Sequence, residues 1–237
     1  MSDYRPDLAT APSAAADRER SLLRNVYLWM TGGLALTAVV ALGIASSPGL
    51  VGALLSSRLL FFGLLFAELA LVVFLSARIS RLSPVAATAG FAAYAVLNGV
   101  TLSLILLVYT EASLATALFI TAGTFAGMSV FASVTRRDLA RVGSYLVYGL
   151  WGLIVASLVN LFLKSTLVDW IVSYVGVALF LALTAYDTQL IRRWGREAGD
   201  SLSEADYVRF SILGALKLYL DFVNLFLFFL RIFGRRK

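Results

Sequence analysis

The sequence predicts an all-α membrane protein, a seven-transmembrane-helix bundle with a semi-polar C-terminal helix in its centre. The 237-residue chain is 60% hydrophobic and only 14% charged, and its mean hydropathy is +0.86. A soluble globular domain averages about 45–50% apolar and about 25% charged residues, so both values depart toward a membrane protein. The chain also divides into apolar stretches of about 20 residues, the length that crosses a bilayer as a helix.

The predicted helices follow one another with short connections. Six spans are expected at Val26–Ala45, Leu59–Ala77, Val85–Val108, Ser113–Val134, Val142–Leu163 and Leu167–Ala185. A seventh segment, Ile212–Leu230, is apolar apart from Lys217, Asp221 and Asn224. The longest connection, Leu190–Ser211, is charged and is expected to hold a short surface helix.

The chain before the first span is expected to be a mobile polar tail, Met1–Arg24, rich in Ala, Asp and Arg. A signal peptide would place its apolar stretch closer to the start and end it at a small-residue cleavage site. Residues 25–237 are expected to form a single transmembrane helix-bundle domain.

Lys and Arg residues favour one side of the predicted bundle. The tail and alternate connections carry Arg5, Arg18, Arg20, Arg24, Arg78, Arg81, Arg136, Arg137, Arg141, Arg192, Arg193, Arg196 and Arg209. The opposite connections carry only Arg58 and Lys164. Because cytoplasmic loops are enriched in Lys and Arg, the N-terminus is expected in the cytoplasm. If the seventh segment spans fully, the basic end, residues 231–237, lies outside the cytoplasm, which conflicts with this rule. A re-entrant segment would obey it, but the segment length favours a full span.

Composition excludes several function classes. The chain has no Cys and no His, which excludes thiol and Ser-His-Asp catalysis, His-ligated zinc and the usual pH switch near neutrality. Its basic residues lie in connections rather than along a polar helix, so no nucleic-acid partner is expected. No phosphate loop, dinucleotide fingerprint or nucleophile elbow is present. We therefore expect neither an enzyme nor a tightly bound cofactor.

Three carboxylates lie inside apolar stretches, at Glu68, Asp187 and Asp221. A charge at the bilayer centre costs about 2.5–3.5 kcal/mol on insertion scales, so such residues usually have a function. Lys217, Asp221 and Asn224 are spaced i, i+4 and i+7 and share one helix face. Asp187 lies near the inner end of the sixth span, one hairpin away. The two aspartates are therefore expected to meet.

Two carboxylates in a low-dielectric site do not both ionise easily, and they share a proton. Such a pair suits pH sensing, proton transfer or the supply of oxygen ligands to a cation such as calcium. The alternative is a neutral or ion-paired carboxyl that only holds helices together, and for Glu68 both interpretations stay open. Arg78 either pairs with Asp187 or anchors its span at the membrane surface.

Three segments carry a recognisable pattern: Tyr186-Asp187-Thr188-Gln189, Leu218-Tyr219-Leu220-Asp221-Phe222-Val223-Asn224-Leu225-Phe226 and Leu230-Arg231-Ile232-Phe233-Gly234. With Glu68-Leu69-Ala70-Leu71-Val72 and Ser76-Ala77-Arg78-Ile79 in the second span, they resemble the Bax inhibitor family (transmembrane Bax inhibitor motif proteins), in particular its bacterial members. The resemblance extends from the first span to the end of the chain.

The resemblance implies a seven-helix bundle whose last helix is surrounded by the other six. It also implies a pH-sensitive calcium leak in which an aspartate pair is the pH sensor and an arginine late in the second helix is a latch. Asp187 and Asp221 match the pair, which would contact calcium transiently. Arg78 matches the latch, with Arg81 as the alternative. The supporting polar residues are Glu68, Tyr186, Lys217 and Asn224.

We expect a multi-pass protein of a bacterial inner (cell) membrane, surrounded by the lipid bilayer. Calcium or protons are the expected permeant ions. Some bacterial members of the family restrain a membrane-bound ATP-dependent protease. The alternative function is therefore a non-transporting regulator of such a protease, which acts through the N-terminal tail or through Leu190–Ser211.

An intramembrane aspartyl protease is a third alternative, because Tyr186-Asp187 resembles the first half of that signature. The second half requires Gly-x-Gly-Asp. Asp221 follows Leu218-Tyr219-Leu220, and Asp200 follows Glu197-Ala198-Gly199. Neither segment fits, so this class is the least favoured of the three.

Overall fold

The computed structural model describes residues 11–135, 137–198 and 203–237, which are almost entirely helical. The α-helices are α1 (Ala11–Ala45), α2 (Pro48–Ser56), α3 (Arg58–Arg78), α4 (Pro84–Val108), α5 (Glu111–Val134), α6 (Gly143–Leu163), α7 (Thr166–Ala198) and α8 (Glu204–Phe233). Short 3₁₀ helices at Ile79–Arg81 and Leu139–Val142 precede α4 and α6. Within the described residues, seven helices are long and apolar enough to cross a membrane, and only the nine-residue α2 is not. The all-α membrane fold is therefore confirmed.

Polar residues in the connections set where several helices begin. Ser83 accepts a hydrogen bond from the Ala86 amide at the start of α4, which has proline in its first turn. Thr110 caps α5 and Ser203 caps α8 in the same way. Such caps satisfy backbone N–H groups that a helix start leaves unpaired, and proline suits the first turn because it lacks that N–H. The breaks between the apolar stretches are thus encoded locally.

The last helix, α8, is the most enclosed of the spanning helices. Of its most apolar stretch, 61% is buried, against 6% for the corresponding stretches of α3 and α6. α8 packs against α1, α4, α5 and α7, while α3 packs on α4 and α6 packs on α7. Four helices rather than six therefore form the wall around α8. α3 and α6 are peripheral, and most of their large apolar side chains are exposed.

The helices extend beyond the predicted spans at the end of the bundle that holds the α7–α8 connection. α1 begins at Ala11, so residues 11–24 of the predicted polar tail are helical, and the first ten residues lie outside the described part. α7 continues to Ala198 and α8 begins at Glu204, so the expected surface helix is instead the ends of two long helices. Leu22, Ile191 and Ile212 are buried in one apolar core, which explains the extension.

The C-terminal end of α8 lies at the opposite end of the bundle. The Thr110 amide donates to the Arg235 carbonyl at 3.1 Å, and the Lys237 amide donates to the Val108 carbonyl at 2.9 Å. These bonds attach the chain end to the α4–α5 connection. α8 has 30 residues, about 45 Å at 1.5 Å per residue, which exceeds the ~30 Å hydrocarbon core. The seventh segment therefore runs the full length of the bundle and is not re-entrant.

Candidate functional site

A salt bridge joins α7 to α8 inside the bundle. The Nζ atom of Lys217 lies 3.1 Å from Oδ1 of Asp187. Asp187 is 5% exposed, whereas 34% of the Lys217 side chain is exposed. The carboxylate is thus enclosed, and the lysine stem extends to it from the boundary of the core, as long cationic side chains do.

Asp221 lies one helical turn after Lys217 on α8 and is 4% exposed. Its Oδ2 atom has no hydrogen-bond partner among the described residues. Asp187 and Lys217 both lie close enough to Asp221 to interact with it electrostatically. The structure thus brings both predicted aspartates to one interface, and we call Asp187, Lys217 and Asp221 the Asp–Lys–Asp cluster.

Two buried threonines extend the polar face of α7 beside this cluster. Thr184 Oγ1 donates to the Phe180 carbonyl at 2.8 Å, which satisfies its hydroxyl within the helix. Thr188 is fully buried, and its Oγ1 has no partner among the described residues. An unsatisfied buried polar atom costs about 1–3 kcal/mol. Thr188 Oγ1 and Asp221 Oδ2 therefore favour a proton, a water molecule or a cation near them.

The predicted arginine latch is not formed in this structure. Arg78 is exposed at the end of α3, and Arg81 is exposed in the 3₁₀ helix that follows. Neither forms a salt bridge within the described ranges. The reason is the position of α3, which packs on the outside of α4. Lys217, placed only among the supporting residues by the sequence, is the cation that pairs with Asp187.

Glu68 belongs to a separate contact between α3 and α4. Asn98 Nδ2 donates to Glu68 Oε1, and Thr101 Oγ1 donates to Glu68 Oε2 at 3.0 Å. The half-buried carboxyl thus links two helices through neutral donors. This arrangement supports the structural interpretation of Glu68, which does not join the Asp–Lys–Asp cluster.

Asn224 and Tyr186 also lie apart from the salt bridge. Asn224 Nδ2 donates to the Leu220 carbonyl of its own helix at 2.8 Å. The Tyr186 ring lies against Gly143, where an added Cβ atom would come within 2.8 Å of the Tyr186 hydroxyl. Tyr186 therefore packs α7 against the start of α6, and a side chain at position 143 would displace its ring.

Comparison with known proteins places this bundle in a family. A family model described as "Inhibitor of apoptosis-promoting Bax1" matches residues 19–237. The chain belongs to the Bax inhibitor-1 family. The match includes every residue of the Asp–Lys–Asp cluster and confirms the resemblance that the C-terminal segments indicated.

Several bacterial relatives match over nearly their whole length. The chain is 47% identical over 218 residues to "Inner membrane protein YbhL" of Escherichia coli strain K12, covering 92% of this chain and 93% of that one. It is 44% identical over 229 residues to an uncharacterised protein of Deinococcus radiodurans, covering 97% and 96% of the two chains. An uncharacterised protein of Borreliella burgdorferi is 38% identical over 226 residues, with 93% and 97% covered.

In this Bax inhibitor-1 family chain, Gln189 forms a contact between helices that was not predicted from the sequence. Its Oε1 atom accepts from the Leu139 amide at 3.0 Å, and its Nε2 atom donates to the Arg137 carbonyl at 3.0 Å. Gln189 therefore ties α7 to the α5–α6 connection. A polar amide two residues after Asp187, at the end of an apolar helix, was the available signal.

Arg192 continues the same contact one turn later. It donates to the carbonyls of Ala132 and Ser133 near the end of α5 and pairs with Glu19 of α1. A cation at a helix C-terminus interacts favourably with the unpaired carbonyls there. The arginines of this end, predicted only as orientation signals, thus also hold three helices together.

A second buried polar contact involves Tyr219, two residues before Asp221. Its hydroxyl lies 2.6 Å from Thr37 Oγ1, which also lies 2.9 Å from the Ala95 carbonyl and donates to it. The rings of Phe91 and Tyr94 contact the Tyr219 ring edge to face. This contact fixes α8 against α1 and α4, on a face separate from the Asp187 salt bridge.

Proposed function

We propose that this chain is a pH-sensitive leak for cations, with calcium as the favoured ion, and that the Asp–Lys–Asp cluster is its sensor. One observation carries the proposal: two buried carboxylates on α7 and α8 interact electrostatically with each other and, among the described residues, share Lys217 as their cation. Membership in the Bax inhibitor-1 family supports the choice of ion, through the resemblance described above.

The charges of the cluster explain why it responds to protons or cations. With all three groups ionised, the cluster holds two negative charges and one positive charge. An uncompensated charge in a low-dielectric site is costly, so the site is completed by a proton or by a cation. Asp221 Oδ2, which has no partner in the described structure, is the atom available to either.

The salt bridge between Asp187 and Lys217 acts as the latch in this proposal. While Asp187 is ionised, it holds Lys217 and so fastens α7 to α8. When the pH falls and Asp187 takes up a proton, the attraction is lost and the two helices separate at that point. Acid is therefore expected to open the leak, with Lys217 in the role that the sequence assigned to Arg78.

A calcium ion would pass this site without being held tightly. Calcium takes six to eight oxygen ligands, and two carboxylates supply at most four. Water must supply the rest, which suits an ion in transit. Thr188 Oγ1 is a further buried oxygen close along the chain to Asp187.

We place the protein in a bacterial inner membrane with its N-terminus in the cytoplasm. The Escherichia coli relative is named as an inner membrane protein, and the arginine-rich connections favour the cytoplasmic side. Asp187 lies 11 residues before the end of α7 at Ala198, so the latch is in the cytoplasmic half of the bundle.

The test is calcium flux into liposomes that carry the purified protein, measured from pH 5 to 8. Wild type is expected to leak more at acid pH, and Asp187→Asn is expected to leak at every pH because its latch cannot form. Asp169→Asn is the matched control, since Asp169 is on the same helix and pairs with Arg231 of α8 at the other end. A wild type without flux in well-oriented liposomes would overturn the leak and favour the regulator of a membrane protease.

A further inference from the structure

The wall of helices around α8 is open on one side. α1 packs against α4 and α7, and α5 packs against α7, but neither α1 nor α4 packs along α5. The opening exposes large apolar side chains on both edges, including Leu42 of α1 at 59% and Leu118 of α5 at 50%. The bundle therefore has a lateral gap that faces the membrane.

A cavity of about 270 Å³ lies behind this gap. Its lining comes from α1, α4, α5 and α8 and is apolar apart from Thr37. It begins near Leu106, two residues before the end of α4, and reaches Phe222, 11 residues before the end of α8. On α1 the lining runs from Leu34 to Leu42, about 12 Å of helix, which fits within the ~15 Å of hydrocarbon in one leaflet. The cavity thus lies within the depth of one leaflet and has the apolar chemistry that suits an acyl chain.

Basic residues are fixed at the outer mouth of the cavity. The strand-like contact between Tyr109 and Arg236 holds the chain end on the α4–α5 connection. Lys237 Nζ donates to the carbonyl of Leu106, a lining residue, at 3.2 Å. Arg235 and Arg236 are exposed beside it, and the acidic Glu111 at the start of α5 is also exposed. Three cationic side chains thus lie at the end of the cavity where the headgroup of a lipid would be, if its acyl chain filled the cavity.

We infer that this groove binds one anionic phospholipid. An acyl chain fills the cavity between α1, α4, α5 and α8, and the phosphate contacts Arg235, Arg236 and Lys237. The basic end, which opposed the positive-inside expectation, is then a headgroup site. This inference is independent of the leak, because it concerns the opposite end of the bundle from the Asp187 salt bridge.

The test is native mass spectrometry of the full chain, released from nanodiscs made of equal amounts of phosphatidylglycerol and phosphatidylcholine. Wild type is expected to retain one phosphatidylglycerol in preference to phosphatidylcholine. Ala115→Phe fills the cavity from α5 and is expected to abolish retention of both lipids. Ala38→Phe fills it from α1 and gives a second, independent variant. The control is Ala70→Phe, on the exposed face of α3, which is expected to retain lipid as wild type does.

The headgroup contact is tested by the triple variant R235Q/R236Q/K237Q. It is expected to keep one lipid but lose the preference for phosphatidylglycerol, by about fivefold for each cation removed. Wild type without a preference, or cavity-filling variants that still retain phosphatidylglycerol, would overturn the inference. A dimer that Ala115→Phe converts to a monomer would also overturn it, because a second copy would then cover the groove.

Discussion

Lys217 of α8 lies 3.1 Å from Asp187 of α7, and Asp221, four residues further along α8, forms no salt bridge with any other described residue. The lysine is thus shared between two carboxylates that are both almost fully buried. Because a buried ion pair does not by itself add stability over apolar packing, its value here is that protonation can break it.

Replacement of Lys217 with methionine is expected to destabilise the protein at pH 8. The change keeps the apolar stem but leaves two buried carboxylates without a cation. The expected loss in the free energy of unfolding is about 2 kcal/mol, below the ~3–5 kcal/mol for a fully buried pair, because a third of the lysine is exposed. Thermal unfolding in detergent measures it, and the loss should shrink at pH 5, where protonated carboxyls no longer require the cation.

The matched control for that experiment is the double variant Lys217→Met/Asp187→Asn. It removes both charges of the pair, so it should recover most of the stability lost in Lys217→Met alone. Additive losses in the double variant would show that the two side chains do not interact.

Substitution of Glu68 tests the assignment of a structural role. Glu68→Leu removes the acceptor for Asn98 and Thr101 and is expected to cost about 1–3 kcal/mol, since the Asn98 amide loses its partner inside the bundle, whereas Thr101 can still donate to the Leu97 carbonyl. Glu68→Gln keeps an acceptor oxygen and should lose less. Neither change should alter the pH dependence of calcium flux. A shifted pH profile in Glu68→Gln would place Glu68 in the sensor after all.

Gln189→Leu is expected to loosen the α5–α6 connection. The leucine cannot accept from the Leu139 amide or donate to the Arg137 carbonyl, and both bonds hold that connection to α7. Hydrogen exchange of the amides in residues 137–142 should become faster. In Gln189→Glu, the acceptor remains while the donor is lost, so the Leu139 amide should stay protected. Equal exchange in wild type and Gln189→Leu would contradict the role.

The membrane orientation can be tested directly because the chain has no cysteine. Single cysteines at Asp138 in the α5–α6 connection and at Lys164 in the α6–α7 connection lie at opposite ends of α6. If the N-terminus is cytoplasmic, an impermeant thiol reagent should label Lys164→Cys and Arg236→Cys in intact cells. Asp138→Cys should react only after lysis. Labelling of Asp138→Cys in intact cells would reverse the orientation.

The spanning helices were predictable because the length of an apolar stretch can be read directly from the local sequence. Serine, threonine and proline in the connections mark where several of them begin. The helix ends near the α7–α8 connection were not predictable in the same way. Residues 11–24 and 190–211 are polar by composition, and their helical state depends on tertiary contacts such as the burial of Leu22, Ile191 and Ile212.

The aspartate pair was predictable from its burial in apolar sequence, but its cation was not. When only the depth along the helices is considered, Arg78 and Lys217 could both reach Asp187. Which one faces Asp187 depends on the packing of α3 outside α4 and on the rotation of α8. Helical spacing placed Lys217 beside Asp221 on its own helix, whereas the pairing across to α7 required the structure.

The most direct test of the central claim is the pH profile of calcium flux in Lys217→Met. Liposomes with this variant are compared from pH 5 to 8 with wild type and with Lys217→Arg, which keeps the charge. If the Lys217–Asp187 salt bridge is the latch, Lys217→Met should leak at pH 8 as strongly as wild type does at acid pH, while Lys217→Arg stays closed at pH 8. If Lys217→Met instead keeps the wild-type profile, with low flux at pH 8 and an unchanged midpoint, the salt bridge does not gate the leak.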